Sequence, residues 1–162
     1  MIIGVRIDGR LIHGQVANLW TTKLNITRIM VVDDEVSKSA IEKSGLKLAT
    51  PAGVKLSVLP YELAAENILA KRYESQRLLI VAKKPHYLLE LVKKGVPIEE
   101  INVGNMSQTD TTIAVTRSVN VEKEDIAEFK ELQARGVRLV HQMVPADSAE
   151  DFMSLLDKKG WF

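Results

Sequence analysis

Short apolar runs bounded by polar turns alternate along this chain with longer segments whose apolar positions recur at helical spacing. The runs predict strands over 2–7, 27–33, 54–59, 77–83, 100–103, 112–117 and 137–143. Between them, helical periodicity predicts helices over 14–23, 36–49, 61–71, 86–94, 122–134 and 148–157. Local punctuation agrees with that division. Pro60 and Pro85 sit near helix starts, Gly95 and Gly136 follow Lys94 and Arg135 at helix ends, and Asp147 with Glu150 matches a capping box. Strand alternating with helix predicts an α/β fold: an open, mostly parallel twisted sheet of about seven strands with helices on both faces. Residues 102–117 hold two strand-like runs with only the polar stretch 107–111 between them, so the one antiparallel or edge strand is expected there.

Composition narrows the classes. The 162 residues are 46% hydrophobic and 27% charged, which suits a single domain over 1–162 with a substantial core. Lys and Arg number 22 against 21 Asp and Glu, so no global field recruits nucleic acid or an anionic membrane, and local clusters must do any anion binding. No apolar run approaches the ~18 residues of a bilayer span. The first residues, Met-Ile-Ile-Gly-Val-Arg, enter a strand without a signal-peptide pattern, and a cytoplasmic location is expected. With no cysteine, disulfides, thiolate metal sites and cysteine nucleophiles are all excluded.

Candidate chemistry concentrates between the first strand and the first helix. Residues 6–15, Arg-Ile-Asp-Gly-Arg-Leu-Ile-His-Gly-Gln, place one histidine and two arginines in a turn that ends at a helix N-terminus. There the leading N–H groups lack intrahelical partners and the helix dipole is positive, which together favour an anion. Gly14 lets the backbone come close to a ligand, Arg10 offers a planar fork to phosphate oxygens, and His13 supplies a nucleophilic nitrogen. The group suggests a histidine that receives a phosphoryl group.

The string 5–16, Val-Arg-Ile-Asp-Gly-Arg-Leu-Ile-His-Gly-Gln-Val, resembles the active-site loop of the enzyme IIB components of the mannose/fructose/sorbose family of sugar phosphotransferase systems. The resemblance continues through 31–34 (Val-Val-Asp-Asp), through 95–106 (Gly-Val-Pro-Ile-Glu-Glu-Ile-Asn-Val-Gly-Asn-Met), and through 132–137 to Val144 and Pro145. It implies that His13 is phosphorylated by a phospho-IIA protein or domain and passes the group to a sugar entering through membrane IIC and IID subunits. It also implies that Arg10 steadies the transferring group, and that no cofactor takes part. Residues 106–112 depart from the family pattern, so no phosphate or partner contact is carried over to that loop.

The remaining candidates keep open readings. Arg6 either reaches the phosphate site from the strand end or pairs with a carboxylate. Asp8 either orients the imidazole or organises the loop through Arg10 and backbone amides, and loop organisation is the favoured reading. Gln15 belongs to the same group. Asp33 and Asp34 could hold a metal as in receiver domains, but the third strand ends without a phosphoacceptor aspartate, so helix capping and loop packing are expected of them. His13, His86 and His141 lack metal-ligand spacing, and no metal site is expected. His86 reads as a first-turn helix residue and His141 as a strand residue. A phosphate- or nucleotide-binding module that senses without transferring is the alternative function. In a doubly wound sheet the site lies beyond the C-terminal strand ends, here 8–15, 33–34, Pro60, 83–86 and 104–108.

Overall fold

The computed structural model describes residues 1–160. The chain runs β1 (Ile2–Asp8), α1 (Gly14–Leu24), β2 (Arg28–Val32), α2 (Ala40–Ala49), β3 (Lys55–Leu59), α3 (Tyr61–Leu69), β4 (Leu78–Ala82), α4 (Pro85–Lys93), β5 (Glu100–Asn105), β6 (Ile113–Ala114), β7 (Asn120–Val121), α5 (Lys123–Ala134), β8 (Arg138–His141), β9 (Glu150–Asp151) and α6 (Phe152–Asp157). Seven strands form one sheet in the order β3-β2-β4-β1-β5-β8-β9, parallel throughout except at β8–β9. This is the α/β class expected from the alternation of strand and helix.

Alternating side chains on the central strands feed two cores. Val5 and Ile7 of β1, Met30 and Val32 of β2, and Ile80 and Ala82 of β4 face one side, where α3, α4, α5 and α6 close over them. Ile29 and Val31 of β2 with Leu79 and Val81 of β4 face the other, against α1 and α2. Strands buried on both faces cannot show a polar alternation, which is why these runs read as continuous apolar stretches. Over β5 and β8 the α1 side of the sheet stays open as a cleft of about 850 Å³, bordered by Trp20, Asn102, Val140 and Gln142.

Two expectations need correction. The run 112–117 is not a strand of the main sheet. Only Ile113 and Ala114 pair, antiparallel with Asn120 and Val121, in a separate two-stranded ladder. The Thr116 hydroxyl accepts hydrogen bonds from the N–H groups of Ser118 and Val119, turning the chain back where continued strand was expected. The antiparallel edge strand of the main sheet is instead β9, inside the segment expected to be helical. Glu150 and Asp151 pair with His141 and Val140, satisfying the open edge of β8, and α6 starts only at Phe152. Its cap is Asp151, whose carboxylate accepts from the Ser154 N–H at 3.0 Å, so the Asp147/Glu150 capping box does not form.

Smaller shifts have equally local causes. The first part of the expected 36–49 helix is a tight 3₁₀ turn at Val36–Lys38, held by Asp33, whose Oδ1 accepts from the N–H groups of Glu35 and Val36 at 2.9 Å. Ser39 then caps α2 by accepting from Glu42 N–H. Asp34 accepts from the N–H of Tyr61, tying the end of β2 to the start of α3. Both acids therefore do capping and loop packing. Gly95 and Gly136 follow α4 and α5 with φ of 94° and 89°, the left-handed conformation that ends a helix and favours glycine.

Candidate active site

The turn after β1 lies at the C-terminal edge of the middle of the sheet, because Ile7 pairs with Ala82 on one side and Val103 on the other. Within it, Leu11 N–H bonds Asp8 O at 2.9 Å and Leu11 takes a positive φ of 62°. That conformation is strained for a branched side chain. It persists because Leu11 and Ile12 are both buried in the α1-side core, pinning the turn at two adjacent points. His13, next in the chain, is left exposed.

His13 is the N-cap of α1, in extended conformation with φ −139° and ψ 118°. Its side chain makes no capping bond, and the first turn of α1 holds no acidic residue. The positive end of an eleven-residue helix thus opens at His13 with no acidic side chain in its own first turn. Gly14, with φ 50°, has open space around its Cα, and Gln15 is exposed beside it.

Asp8 organises the turn. One carboxylate oxygen accepts from Arg10 N–H at 3.0 Å and Arg10 Nε at 3.2 Å, and the other lies 3.4 Å from Arg10 Nη2. The Arg10 side chain nevertheless keeps 32% of its surface exposed, whereas that of Asp8 keeps 3%. Arg6 approaches the same carboxylate from the strand, its Nε 3.7 Å from Asp8 Oδ2, an ion pair too long for a hydrogen bond.

The Arg6 guanidinium points toward the segment after β8. Nη1 donates to Gln142 O and Nη2 to Met143 O, both at 3.0 Å. Its carbon sits 5.4 Å from the centre of the Trp20 ring, and Trp20 Nε1 donates to the same Met143 carbonyl at 3.0 Å. Gly104 makes room for it, since a Cβ there would lie 2.1 Å from Nη2. Burial pushes the Arg6 pKa down to about 10, with Asp8 opposing that shift. Of its two open readings, Arg6 takes the carboxylate pairing, with carbonyl bonds added.

A second contact braces the turn from the β5 side. Gly9 N–H bonds Asn105 O at 2.9 Å, and a Cβ on Gly9 would lie 2.6 Å from Ser107 Oγ. The other candidates lie apart from this centre. His86 Nδ1 meets Glu128 Oε2 at 2.7 Å in the first turn of α4, and His141 Nδ1 meets Val103 O at 2.6 Å. Lys84, beyond the end of β4, pairs with Glu122 at 3.5 Å. Among the described residues no group of three or more His, Cys, Asp or Glu is placed to hold a metal ion. The residues that sequence reasoning missed are Trp20, Gln142 and Met143. Gly104 lies in the expected strand-end group 104–108, and its role is the close approach of Arg6 that a glycine inside an apolar strand signals. The carbonyls of Gln142 and Met143 leave no mark in side-chain chemistry.

A central parallel strand that runs into an exposed helix start is an arrangement in which an α/β protein can hold a phosphoryl or phosphate group. The solved IIB domain of the sorbose permease from Klebsiella pneumoniae superposes with a TM-score of 0.96 at 30% identity, covering 100% of this chain and 99% of that one. The family model described as PTS system sorbose subfamily IIB component matches residues 2–161. A PTS system sorbose-specific EIIB component from Lacticaseibacillus casei is 33% identical over 94% of this chain and 93% of its own length. A mannose-specific EIIAB component from Escherichia coli K12 is 37% identical over 98% of this chain, which spans 49% of that protein. The chain belongs to the sorbose-subfamily IIB components of the sugar phosphotransferase system, which receive phosphate from IIA and pass it to sugar at the IIC/IID permease.

Proposed function

We propose that His13 is the residue that carries the phosphoryl group. The observation supporting this most directly is its place: an exposed N-cap in the turn after the central strand, in the same short loop as Arg10, at a helix N-terminus whose first turn holds no acidic residue. An imidazole nitrogen of His13 attacks the phosphorus of a phospho-IIA partner, and the N–P bond forms as the donor's bond to phosphorus breaks. In the second displacement a sugar hydroxyl oxygen attacks in line, the N–P bond breaks, and the hydroxyl proton departs. Arg10 and the first N–H groups of α1 hold the equatorial oxygens, where charge spreads in the transition state. Positioning and charge compensation, without a cofactor or metal, are the protein's contribution. Gly14 and Gln15 keep the approach to His13 open, and Asp8 holds the turn in shape. The chain works as one IIB domain on the cytoplasmic side, docking in turn with phospho-IIA and with the membrane IIC/IID subunits. No helix among the described residues is long and apolar enough to cross a membrane.

Incubation with labelled phospho-IIA tests the assignment. Wild-type protein is expected to take up label that is lost in acid and kept in base. His13→Ala abolishes uptake without unfolding the protein, because an exposed loop side chain adds little to the core. His86→Asn and His141→Asn keep it. Full labelling of His13→Ala would refute the assignment, and a module that only sensed phosphate would take no covalent label at all.

A further inference from the structure

We propose that Arg6 is a positioning residue for phosphoryl transfer: it is the fixed counter-ion of Asp8, and its presence frees Arg10 to leave that carboxylate for the phosphoryl group. The inference rests on the roles given above to His13 and Arg10.

Three charges meet at the end of β1, and they differ in freedom. Asp8 is 2% exposed and cannot be satisfied by solvent. Arg10 holds it through Nε and Nη2 but is a third exposed, on a turn, and can swing outward. Arg6 cannot. Its side chain is 5% exposed, both terminal nitrogens are committed to the carbonyls of Gln142 and Met143, Trp20 covers it, and Gly104 lies directly behind it. Its guanidinium is buried and turned toward the carbonyls of Gln142 and Met143, so it is not itself a phosphoryl ligand.

Reaching a phosphoryl group on His13 requires Arg10 to release the Asp8 oxygens. A buried carboxylate abandoned by its only cation is strongly penalised, and that penalty would hold Arg10 in place. With Arg6 still 3.7 Å from Oδ2, the carboxylate keeps a cation when Arg10 departs. Two guanidinium groups and one carboxylate also leave one positive charge in excess, which suits an incoming phosphoryl anion. The geometry thus divides the labour: the buried arginine neutralises and the exposed one moves.

Single-turnover transfer from phospho-IIA to the full chain tests this with Arg6→Gln, Arg6→Lys, Asp8→Asn and the Arg6→Gln/Asp8→Asn double variant. Arg6→Gln is expected to slow transfer about tenfold at saturating donor with little change in the half-saturating donor concentration, a coupling within the range of contacting charged residues. Arg6→Lys recovers most of the rate, because it restores the charge. The double variant transfers faster than Arg6→Gln alone, because the anion that retained Arg10 is gone. Costs of the two single changes that simply multiply would overturn the proposal. So would equal slowing by Trp20→Phe, which removes a bond to Met143 O but leaves the charges untouched. If Arg6→Gln melts below the assay temperature, the double variant carries the test: recovery of folding and transfer supports the counter-ion role, and recovery of neither refutes it. Arg10→Ala, run alongside, separates the two readings. An unchanged rate there removes Arg10 from the mechanism, whereas a slow Arg10→Ala without Arg6–Asp8 coupling removes only the present inference.

Discussion

Arg10 faces Asp8 with two nitrogens while a third of its side chain stays in solvent, and that combination sets what its replacement does. A guanidinium can give two parallel hydrogen bonds to phosphoryl oxygens, while an ammonium acts as a point charge. Arg10→Lys is therefore expected to slow single-turnover transfer less than Arg10→Ala does. The alanine loses one to three orders of magnitude, at ~1.4 kcal/mol per tenfold, mostly in rate rather than in donor affinity. A melting curve close to wild type beside an unchanged Arg10→Ala rate would show that the residue only packs the turn. At this scale the gathering of His13, Arg10, Asp8 and Gly14 in one turn is legible, because they lie in one contiguous string whose helix start is visible in the pattern. The orientation of Arg6 was not legible, since strand alternation assigns a face but says nothing of the chain segment that covers it. Trp20, at helical spacing with its neighbours, reads as core, and its indole N–H bond to Met143 O depends on folding of residues more than a hundred positions later.

Among the elements, α5 has the most complete start. Glu122 and Asp125 each accept from the other's backbone region, forming a reciprocal capping box. Their carboxyls shift in opposite directions. Burial raises the pKa of Asp125 above its usual 3.8, whereas the Thr111 hydroxyl bond, followed by the Lys84 charge, lowers that of Glu122 below 4.5. A group raised in the folded state contributes stability that is fully present below its unfolded pKa and is lost as pH rises through the folded value. Asp125→Asn is thus expected to remove one source of falling stability as pH climbs out of the acid range. Carboxyl carbon titration by NMR checks the premise, with Asp125 titrating above the ordinary aspartate range and Glu122 below the ordinary glutamate range. Coincident, ordinary titrations at the two sites would remove it. Element identity is largely legible where apolar spacing and a terminal signal agree, as at α4 with Pro85 and Gly95 and at α5 with Gly136. It failed at 112–117 and at 148–151, where two-residue ladders form: pairings that short depend on which edge is free, and no local pattern records that.

For the molecule as a whole, the parallel topology gathers His13, Lys83 and Lys84 at one end of the sheet and the strand starts Arg28 and Arg138 at the other. Addition of IIA is expected to shift amide resonances around 10–15, 83 and 84, with fast exchange, as a carrier that must release each partner requires a modest interface. Changes confined to the neighbourhood of Arg28 and Arg138 would contradict the docking end proposed here. The same topology fixes when the histidine can work during synthesis. The strand that precedes it is made before both of its sheet neighbours yet sits in the middle of the sheet, waiting for Ala82, then Val103, and finally the carbonyls of Gln142 and Met143. Pairing across such distances along the chain is slow and cannot begin before the partners exist. A ribosome-bound chain that has emerged only as far as β4 therefore displays the whole phosphoryl string without the frame that arms it. With His13 as the proposed acceptor, such unfinished copies are expected to take up no label from phospho-IIA.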